Sequence, residues 1–541
     1  MALSGVYGAG GRDTTISDID TVAQNTAAES GPITRLPDEV LSIVFFYYAV
    51  CLHESLYTRK WTHTILRINR HWRELALHTP ILWSFFSSWT LPDARPQDKL
   101  LQSSYAHPLS LKLSPVIASQ VNWTFALMEA HKDRVQDIEV YAQAQMIEHI
   151  SSRLRSNWKS LRHLSLWSVN FPYDLPSHVA QDLILGLCTL RLVNVRLDWT
   201  IVRNVRHLRM AGKPQLGSIT INALSNVLRS CPTLQTLELF DCVYRGHHES
   251  DKIREPIELS HLRRIEIRAS SSVCSSVLGL MSLHPSTAIL FDVDNMVDAK
   301  SIRPLLIHLC KHLLARGRPP RLRSLQFISS RPEKGRKTNC WMRFLWDDCL
   351  PFAYRSLGAE GIPYTAQLEL RVVPLSAREL HRIVAKVLNI VPTHAVEVLD
   401  MRSSAYTPTR ALRALLRGLP AVRSIHLASR AVNVSVLESI LHLIEIGSLQ
   451  GPPCAPYKKP LEPPALEQIF WDTRTIMMDG ADKRMEMIRA ISKLLEAYKS
   501  VGRPIRQVIL SKRPGGMPEA VFAAMTELVE EGFVCPGPTY S

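Results

Sequence analysis

The chain has 541 residues, of which 46% are hydrophobic and 21% charged, a balance typical of a globular protein with several cores or one long repeat array. No apolar run is long enough to span a bilayer and the first residues lack the layout of a secretory signal, so we expect a cytoplasmic or nuclear protein with reduced cysteines. The formal net charge of +15 favours acidic or phosphate-rich partners and says nothing about the fold.

Residues 1–32 contain mostly small and polar residues without periodicity, which predicts a disordered segment. The glycine cluster at residues 8–11 neither follows a strand pattern nor opens a helix pattern. A nucleotide-binding loop is therefore excluded there, because such a loop needs both neighbours.

The first helical pattern begins at Leu36-Pro37-Asp38-Glu39. Proline suits the first position of a helix, where its missing N–H would have had no partner, and acidic side chains suit the positive end of the helix dipole. The apolar residues that follow recur at helical spacing and predict one apolar stripe. This stripe consists of Leu36, Val40, Ile43, Val44 and Tyr47.

A second helix is predicted from Tyr57 to Leu77, and Thr79-Pro80 ends it because a residue before proline is displaced from the helical conformation. A third short helical turn is predicted from Ile81 to Phe85. Helices this short cannot bury so many large apolar side chains among themselves. The pattern therefore leaves apolar surface for a partner or for the rest of the chain.

Two stretches of this region carry a family resemblance. Leu36-Pro37-Asp38-Glu39-Val40-Leu41, together with the stretch from Arg70 to Leu77 and the following Thr79-Pro80-Ile81-Leu82-Trp83-Ser84, resembles the opening and closing motifs of an F-box of the fungal F-box-like type. The chain departs from the family at Ile68-Asn69, where Val-Cys is usual, and in the longer link from Phe46 to Thr58. Neither departure removes an apolar anchor. The alternative is an ordinary helical hairpin.

The resemblance implies that residues 33–90 form a helical F-box-like domain that docks a Skp-type adaptor and, through it, a cullin. It also implies which residues serve the adaptor, either directly or by fixing the helices. The implied set is Leu36, Pro37, Val40, Leu41, Ile43, Val44, Ile68, Trp72, Leu75 and Trp83.

The alternation of apolar and polar residues from Pro108 to Leu113 predicts a strand. It follows a proline-marked connector from Leu91 to Pro96. We expect this strand to start the second domain, which takes up residues 91–541.

A short phrase with apolar residues at its first, fourth and sixth positions recurs through the second domain. The best copy, CPTLQTLELFDC, fits the leucine-rich-repeat pattern LxxLxLxxC at Leu234, Leu237, Leu239 and Cys242. The ten copies begin at Leu161, Leu187, Val205, Leu234, Leu262, Leu322, Val396, Val422, Leu466 and Ile505.

Helix-period segments fill the intervals between these phrases, and a proline-rich stretch at about 447–464 interrupts the series. Units with one apolar face hide that face by stacking on their neighbours. The sequence thus predicts an α/β protein, in which the helical F-box precedes an irregular leucine-rich-repeat solenoid. This solenoid is expected to be a horseshoe with inner parallel strands and outer helices.

The side chains between the leucines of each phrase are expected on the concave face, because strand side chains alternate in direction. Aromatic residues beside Arg and His are enriched at interfaces, so this face is the candidate substrate surface. The alternative is that these are solvated strand residues. The candidate substrate-binding residues are Trp167, Arg209, Phe240, Arg264, Arg268, His426 and Phe470.

The other motifs in the sequence do not indicate a catalytic, metal-binding or nucleotide-binding site. The basic run from Arg316 to Lys337 is either a solvated loop, a phosphate-binding segment or an import signal. Cys242 with His247, His248, Glu249 and Asp251 fits no zinc spacing. The chain also has no nucleophile elbow, HExxH helix or phosphate loop. We therefore predict no catalytic residue, no metal and no cofactor.

The resemblance implies a non-catalytic substrate-recognition subunit of an SCF-type ubiquitin ligase. The F-box would dock the adaptor, and the repeat domain would hold an unknown protein substrate near the conjugating enzyme, so that catalysis comes from proximity. Two alternatives stay open. One is an F-box scaffold or interaction protein that acts outside a cullin ligase. The other, less favoured, is a basic solenoid that binds nucleic acid or phosphoinositide.

Overall fold

The computed structural model divides the chain into two compact units, Met1–Gln136 and Asp137–Ser541. It describes residues 33, 36–54, 60–87, 102–114, 129–153, 158–184, 186–212, 219–246, 255–284, 286–314, 322–330, 339–345, 366–374, 376–402, 404, 407–428, 431–449, 464–472, 480–511 and 519–534. The segment predicted to be disordered, most of the basic run and most of the proline-rich interruption lie outside these residues.

The main elements of the first unit, among its described residues, are three helices, a 3₁₀ turn and a pair of strands. These are α1 (Asp38–Glu54), α2 (Lys60–Ile68), α3 (Arg70–Leu77), the turn Pro80–Ser84, β1 (Phe85–Ser87) and β2 (Leu109–Leu113).

Asn69 divides the single helix that the sequence predicts from Tyr57 to Leu77 into α2 and α3. Its backbone is extended, and its side-chain oxygen accepts a hydrogen bond from the N–H of Trp72 at 2.7 Å. Asparagine is among the residues that favour this capping position. The prediction was wrong at this point because helical spacing of apolar residues continued across the break.

The core of the first unit brings residues of all three helices and the turn together. It consists of Leu41, Phe45, Ala49, Ile65, Trp72, Ala76, Leu82 and Trp83, with Leu36, Phe46, Leu66 and Leu75 packed against it. The ring of Trp72 lies 4.9 Å from that of Phe45, and the indole N–H of Trp83 donates to the carbonyl of Ala76 at 2.8 Å.

The strand β2 falls in the compact unit that ends at Gln136. It pairs in parallel with β1, with Phe86 opposite Leu111. Arg134 adds hydrogen bonds from its side chain to Ser104 and to the carbonyl of His107. The division into compact units falls at Gln136, and the domain boundary near residue 90 stays a prediction from the sequence. The local alternation located the strand but not its partner.

The second unit alternates strands with helices, mostly one of each in turn. Its long strands are β3 (Val135–Gln143), β4 (His163–Val169), β6 (Thr189–Val193), β8 (His207–Ala211), β10 (Thr236–Phe240), β13 (Arg264–Ala269), β15 (Ala288–Val297), β16 (Ser324–Ser329), β17 (Cys340–Leu345) and β18 (Ala366–Pro374). Further along the chain are β19 (Val398–Asp400), β20 (Ser424–Ala428), β21 (Gln468–Asp472), β22 (Gln507–Leu510) and β23 (Phe533–Val534). Two-residue and three-residue strands form small separate pairs, namely β5 (Tyr173–Asp174) with β7 (Val195–Arg196), β9 (Ile219–Thr220) with β11 (Val243–Tyr244), and β12 (Ile257–Leu259) with β14 (Met281–Leu283).

The helices of the second unit lie between its strands along the chain. They are α4 (Ala144–Arg153), α5 (Ser177–Ile184), α6 (Ile221–Ser230), α7 (Ser271–Gly279), α8 (Arg303–Leu314), α9 (Ala377–Ile390), α10 (Thr409–Arg417), α11 (Ala431–Leu449), α12 (Gly480–Ser500) and α13 (Glu519–Thr526).

A large, mainly parallel sheet runs through the second unit, so the chain has a mixed α/β fold. From β3 the order is β4, β6, β8, β10, β13, β15, β18, β17, β16, β19, β20, β21, β22 and β23. Neighbours are parallel except that β17 is antiparallel to β16 and β18. Each of the ten phrases supplies one strand of this sheet.

One face of the sheet carries the helices. The fourth and sixth residues of each phrase, such as Leu164 and Leu166, are buried, and α7 packs on β13 and β15. The side chains that alternate with these buried residues along each strand lie on the opposite face of the sheet, which we call the open face. The leucines of the phrases thus determine which side chains of each strand are available to a partner.

The meander β16–β17–β18 interrupts the regular order of the sheet. A repeat series would place β16 beside β15, but β18 occupies that place and β16 pairs with β19. Helix α9 is attached near the end of β15, since Glu379 accepts from the N–H of Ala299 and Lys386 donates to the carbonyl of Ala299.

Candidate functional site

Helix α1 presents large apolar side chains to solvent on one side and to the core on the other. Leu41, Phe45 and Ala49 are buried, whereas neighbouring positions at helical spacing are exposed. We call these exposed residues the apolar patch, and they are Val40, Ile43, Val44, Tyr47 and Tyr48. A contiguous exposed apolar surface on a small unit marks an interaction site more often than scattered single residues do.

The ten residues predicted to serve an adaptor fall into two structural groups. Pro37, Val40, Ile43, Val44 and Ile68 are exposed. Leu41, Trp72 and Trp83 are buried, and Leu36 and Leu75 are partly buried against them. The first group can touch a partner, while the second can only position the helices that carry the first.

On the open face of the second unit, Arg209 lies between two aromatic rings. Its guanidinium carbon is 5.7 Å from the ring centroid of Trp167 and 5.1 Å from that of Phe240. Val193 and Ala211 occupy the register positions between these rings. Glu238 approaches the guanidinium to 3.5 Å. Contact with a ring on each side helps to hold the guanidinium of Arg209 in place.

Arginine, aromatic and acidic side chains continue this arrangement across the sheet towards the meander. Arg268 lies over the ring of Phe240 and pairs with Asp292 at 3.1 Å. Asp292 also pairs with Arg371 at 3.0 Å, and Arg371 lies 4.1 Å from the ring centroid of Trp341. These contacts bring Trp167, Arg209, Phe240 and Arg268, four of the predicted substrate-binding residues, onto one surface. Arg264 lies nearby and pairs with Glu266.

His426 and Phe470 occupy a different environment from the other predicted substrate-binding residues. Both are buried, and their rings lie 5.3 Å apart. Next to them, Asp400 accepts two hydrogen bonds from the guanidinium of Arg402, at 3.0 and 2.9 Å. Sequence alternation placed His426 and Phe470 on the open face correctly, but it could not show that this part of the face is buried. They are therefore not available for direct contact with a partner.

His426 makes the stability of the second unit sensitive to acid. Burial lowers the pKa of His426 to about 4, with Arg402 acting in the same direction and Asp400 against it. Because an unfolded histidine titrates near 6.5, the unfolded state binds a proton first as the pH falls. We expect the free energy of unfolding to decrease by up to about 3 kcal/mol between pH 6.5 and 4.

Urea denaturation at several pH values checks this expectation, with His426→Gln as the comparison. The substitution should flatten the pH dependence over this range, since glutamine takes up no proton. An unchanged slope in the variant would assign the acid sensitivity to other groups.

Metal binding and membrane insertion find no support in the described residues. No group of three or more His, Cys, Asp or Glu side chains is placed to hold a metal ion there. The thiol of Cys242 donates to the carbonyl of Met210, and burial raises its pKa to about 12. No helix among those described has the length and apolarity of a membrane span.

The sequence interpretation missed several side chains of the open face, including Tyr141, Asp292, Trp341 and Arg371. Tyr141 lies on β3, 6.1 Å from the ring of Trp167. The preceding Val135, Ile138 and Val140 have the spacing of the repeated phrase, which is a signal that would have placed Tyr141.

Comparisons with known proteins identify no family for this chain. No protein-family model matches it, and no curated protein matches its sequence. Among solved structures, one from a Rad7–Elc1 complex of yeast is 12% identical, with 86% of this chain and 96% of that chain covered, and has a TM-score of 0.26. The leucine-rich repeat-containing protein LegL7 from Legionella pneumophila is 11% identical, with 83% and 97% covered and a TM-score of 0.25. TM-scores this low support no argument about function.

Proposed function

We propose that the chain is the substrate-recognition subunit of an SCF-type ubiquitin ligase. In this proposal the first unit is an F-box that docks a Skp-type adaptor through the apolar patch. The second unit is a leucine-rich-repeat domain that holds a protein substrate on its open face. The chain itself carries no catalytic residue, and it acts in the cytoplasm or nucleus by placing substrate close to the conjugating enzyme.

The apolar patch is the observation that carries the proposal. It lies on the helix that begins with the Leu36-Pro37-Asp38-Glu39 motif, and its residues alternate with the core residues of the same helix. The opposite face of α1 supplies Leu41, Phe45 and Ala49 to the unit's own core, and the patch residues are not part of that core cluster. An apolar partner surface would remove it from water, which is favourable at about 25 cal/mol per Å².

The open face supports the second part of the proposal. Interface hot spots are enriched in Trp, Tyr and Arg, and here these residue types meet on adjacent strands of one sheet. Because the strands are held by the buried leucines, these side chains are presented on a rigid surface. Little ordering of the surface is then needed when a partner binds.

A single substitution in the patch tests the adaptor role. Ile43 is 55% exposed, so Ile43→Glu should leave the unit folded while placing a charge in the proposed interface. We expect the affinity for a purified Skp-type adaptor to fall at least about thirtyfold, which corresponds to about 2 kcal/mol. Isothermal titration calorimetry with the full chain measures this directly.

Ile307→Glu is the matched control, because Ile307 is 43% exposed on helix α8 of the second unit. The control should bind the adaptor like the wild type. Equal affinity of the Ile43→Glu variant and the wild type would contradict the docking role of α1. Adaptor binding without recruitment of a cullin would favour the scaffold alternative.

A further inference from the structure

Three adjacent strands of the open face carry basic side chains and no acidic ones. The segments that form β4, β6 and β8, together with the residue before β4 and before β8, contain arginine and histidine but no Asp or Glu. We call this set the basic edge, and it consists of Arg162, His163, Arg191, Arg206, His207 and Arg209. Acidic residues return on the flanking strands, with Asp137 and Glu139 on β3 and Glu238 on β10.

Two arginines of the basic edge are exposed and have no ion-pair partner among the described residues. Arg191 and Arg206 form no ion pair with any acidic side chain in the part of the chain that the structure describes. Arg191 lies beside Arg209 in the sheet register, and the charge of Arg209 is shared with Glu238. Cationic groups placed side by side repel one another, so an anion that bridges them relieves this repulsion.

The histidines of the basic edge lie within the same positive field. His163 and His207 contact the hydroxyls of Thr189 and Thr236 at 2.8 and 2.7 Å, which fixes both rings. Burial lowers the pKa of His207, and the neighbouring His163, Arg191 and Arg206 lower it further. Burial and the neighbouring cationic groups therefore both disfavour a further positive charge on His207.

We propose that the basic edge binds an extended acidic segment of a protein partner. Adjacent strands are about 4.8 Å apart, so cationic groups on β4, β6 and β8 recur over about 10 Å. An extended peptide presents alternate side chains about 7 Å apart, within reach of long arginine side chains. Guanidinium groups pair with carboxylates in a planar, two-hydrogen-bond geometry. The aromatic rings of Tyr141 and Trp167 border the same region and supply contact area for the peptide backbone.

This inference states which class of substrate the open face would bind. It rests on the proposed function only in treating that face as the substrate surface. Its test is independent of the adaptor. A fluorescently labelled twelve-residue glutamate-rich peptide is titrated with the full chain, and anisotropy is recorded at low and physiological salt. The wild type should bind the peptide, with an affinity that falls as salt is added. Absence of binding at low salt overturns the inference.

The variant Arg191→Glu/Arg206→Glu should weaken peptide binding at least tenfold. Arg303→Glu/Arg378→Glu is the matched control, because it makes the same charge change at exposed positions on α8 and at the start of α9. The control should alter binding no more than twofold. Equal losses of peptide affinity in the two double variants would show that overall charge alone is responsible, and would overturn the inference.

Two further arms complete the test. Arg191→Lys/Arg206→Lys keeps the charge and should keep most of the binding, which separates recognition from misfolding of the glutamate variant. A single-stranded oligonucleotide should not bind more tightly than the peptide. If it does, and its binding is lost in the Arg191→Glu/Arg206→Glu variant, the surface is assigned to nucleic acid and the inference is overturned. The Ile43→Glu variant should bind the peptide normally, so that failure of the adaptor role is distinguishable from failure of this one.

Discussion

Replacing Trp72 by alanine is expected to unfold the helical part of the first unit and to abolish adaptor binding. Trp72 is buried against Phe45, and its backbone N–H donates to the side chain of Asn69, which caps α3. Truncation of a buried tryptophan costs about 3–5 kcal/mol, a large fraction of the stability of a small unit. Circular dichroism and limited proteolysis should show loss of the first unit, while the second unit still unfolds cooperatively at its own midpoint.

Substitution by phenylalanine separates the contribution of volume from that of the indole N–H. The indole N–H of Trp83 donates to Ala76, whereas that of Trp72 has no acceptor among the described residues. Trp83→Phe should therefore destabilise the unit by about 1 kcal/mol more than Trp72→Phe does. The reverse order would show that packing around the rings, rather than hydrogen bonding, decides the cost.

Breaking the buried ion pair between Asp400 and Arg402 is expected to destabilise the second unit strongly. The carboxylate of Asp400 is fully buried, and besides the guanidinium it accepts from the backbone N–H of Arg402 and from Gln326. Arg402→Met leaves this buried carboxylate without its counter-charge, which costs about 3–5 kcal/mol. The midpoint of urea denaturation, followed by tryptophan fluorescence, measures the loss.

Two comparisons show whether the buried charge is responsible. Arg196→Met makes the same change in the pair of Arg196 with Asp174, whose side chains are 43% and 72% exposed, and should cost less than about 1 kcal/mol. The double variant Asp400→Leu/Arg402→Met removes both charges and should recover part of the loss. A double variant less stable than Arg402→Met alone would contradict this account.

Much of the mixed α/β fold could be predicted from sequence because its main signal is local. The fourth and sixth residues of each phrase must be buried in any sheet with helices on one side, so the spacing alone located ten strands. Helix-period segments between the phrases likewise predicted helices such as the one from Ala377 to Ile390, whose apolar residues recur every three or four positions. Helix and strand periodicities are properties of short windows.

The rest of the fold depends on contacts between residues far apart in the chain, which local sequence patterns do not contain. At β15 the first position of the phrase is Ser286 rather than an apolar residue, so the strand was missed. The ten copies of the phrase include neither β17 nor β18, and no local pattern gives the order of these two strands in the sheet. The candidate site was affected in the same way, since Arg371 and Trp341 reach the open face only through that order.

The burial of His426 and Phe470 illustrates a second limit of prediction from sequence. Alternation determines which face of a sheet a side chain occupies, but not whether something else covers that face. Similarly, the helical spacing of α1 predicted an apolar stripe, whereas the structure separates core residues such as Leu41 from exposed ones such as Ile43.

The position of β18 beside β15 has a consequence for synthesis on the ribosome. Arg268 and Asp292, which pair across β13 and β15, are 24 residues apart, whereas Asp292 and Arg371, which pair across β15 and β18, are 79 residues apart. At about 5–20 residues per second, the growing chain therefore carries β15 as an unpaired edge for roughly 4–16 s before its neighbour emerges. Unpaired edges invite pairing with other chains. Asp292, a charged side chain on β15, disfavours such pairing, and it gains Arg371 as a second ion-pair partner, after Arg268, once β18 is in place.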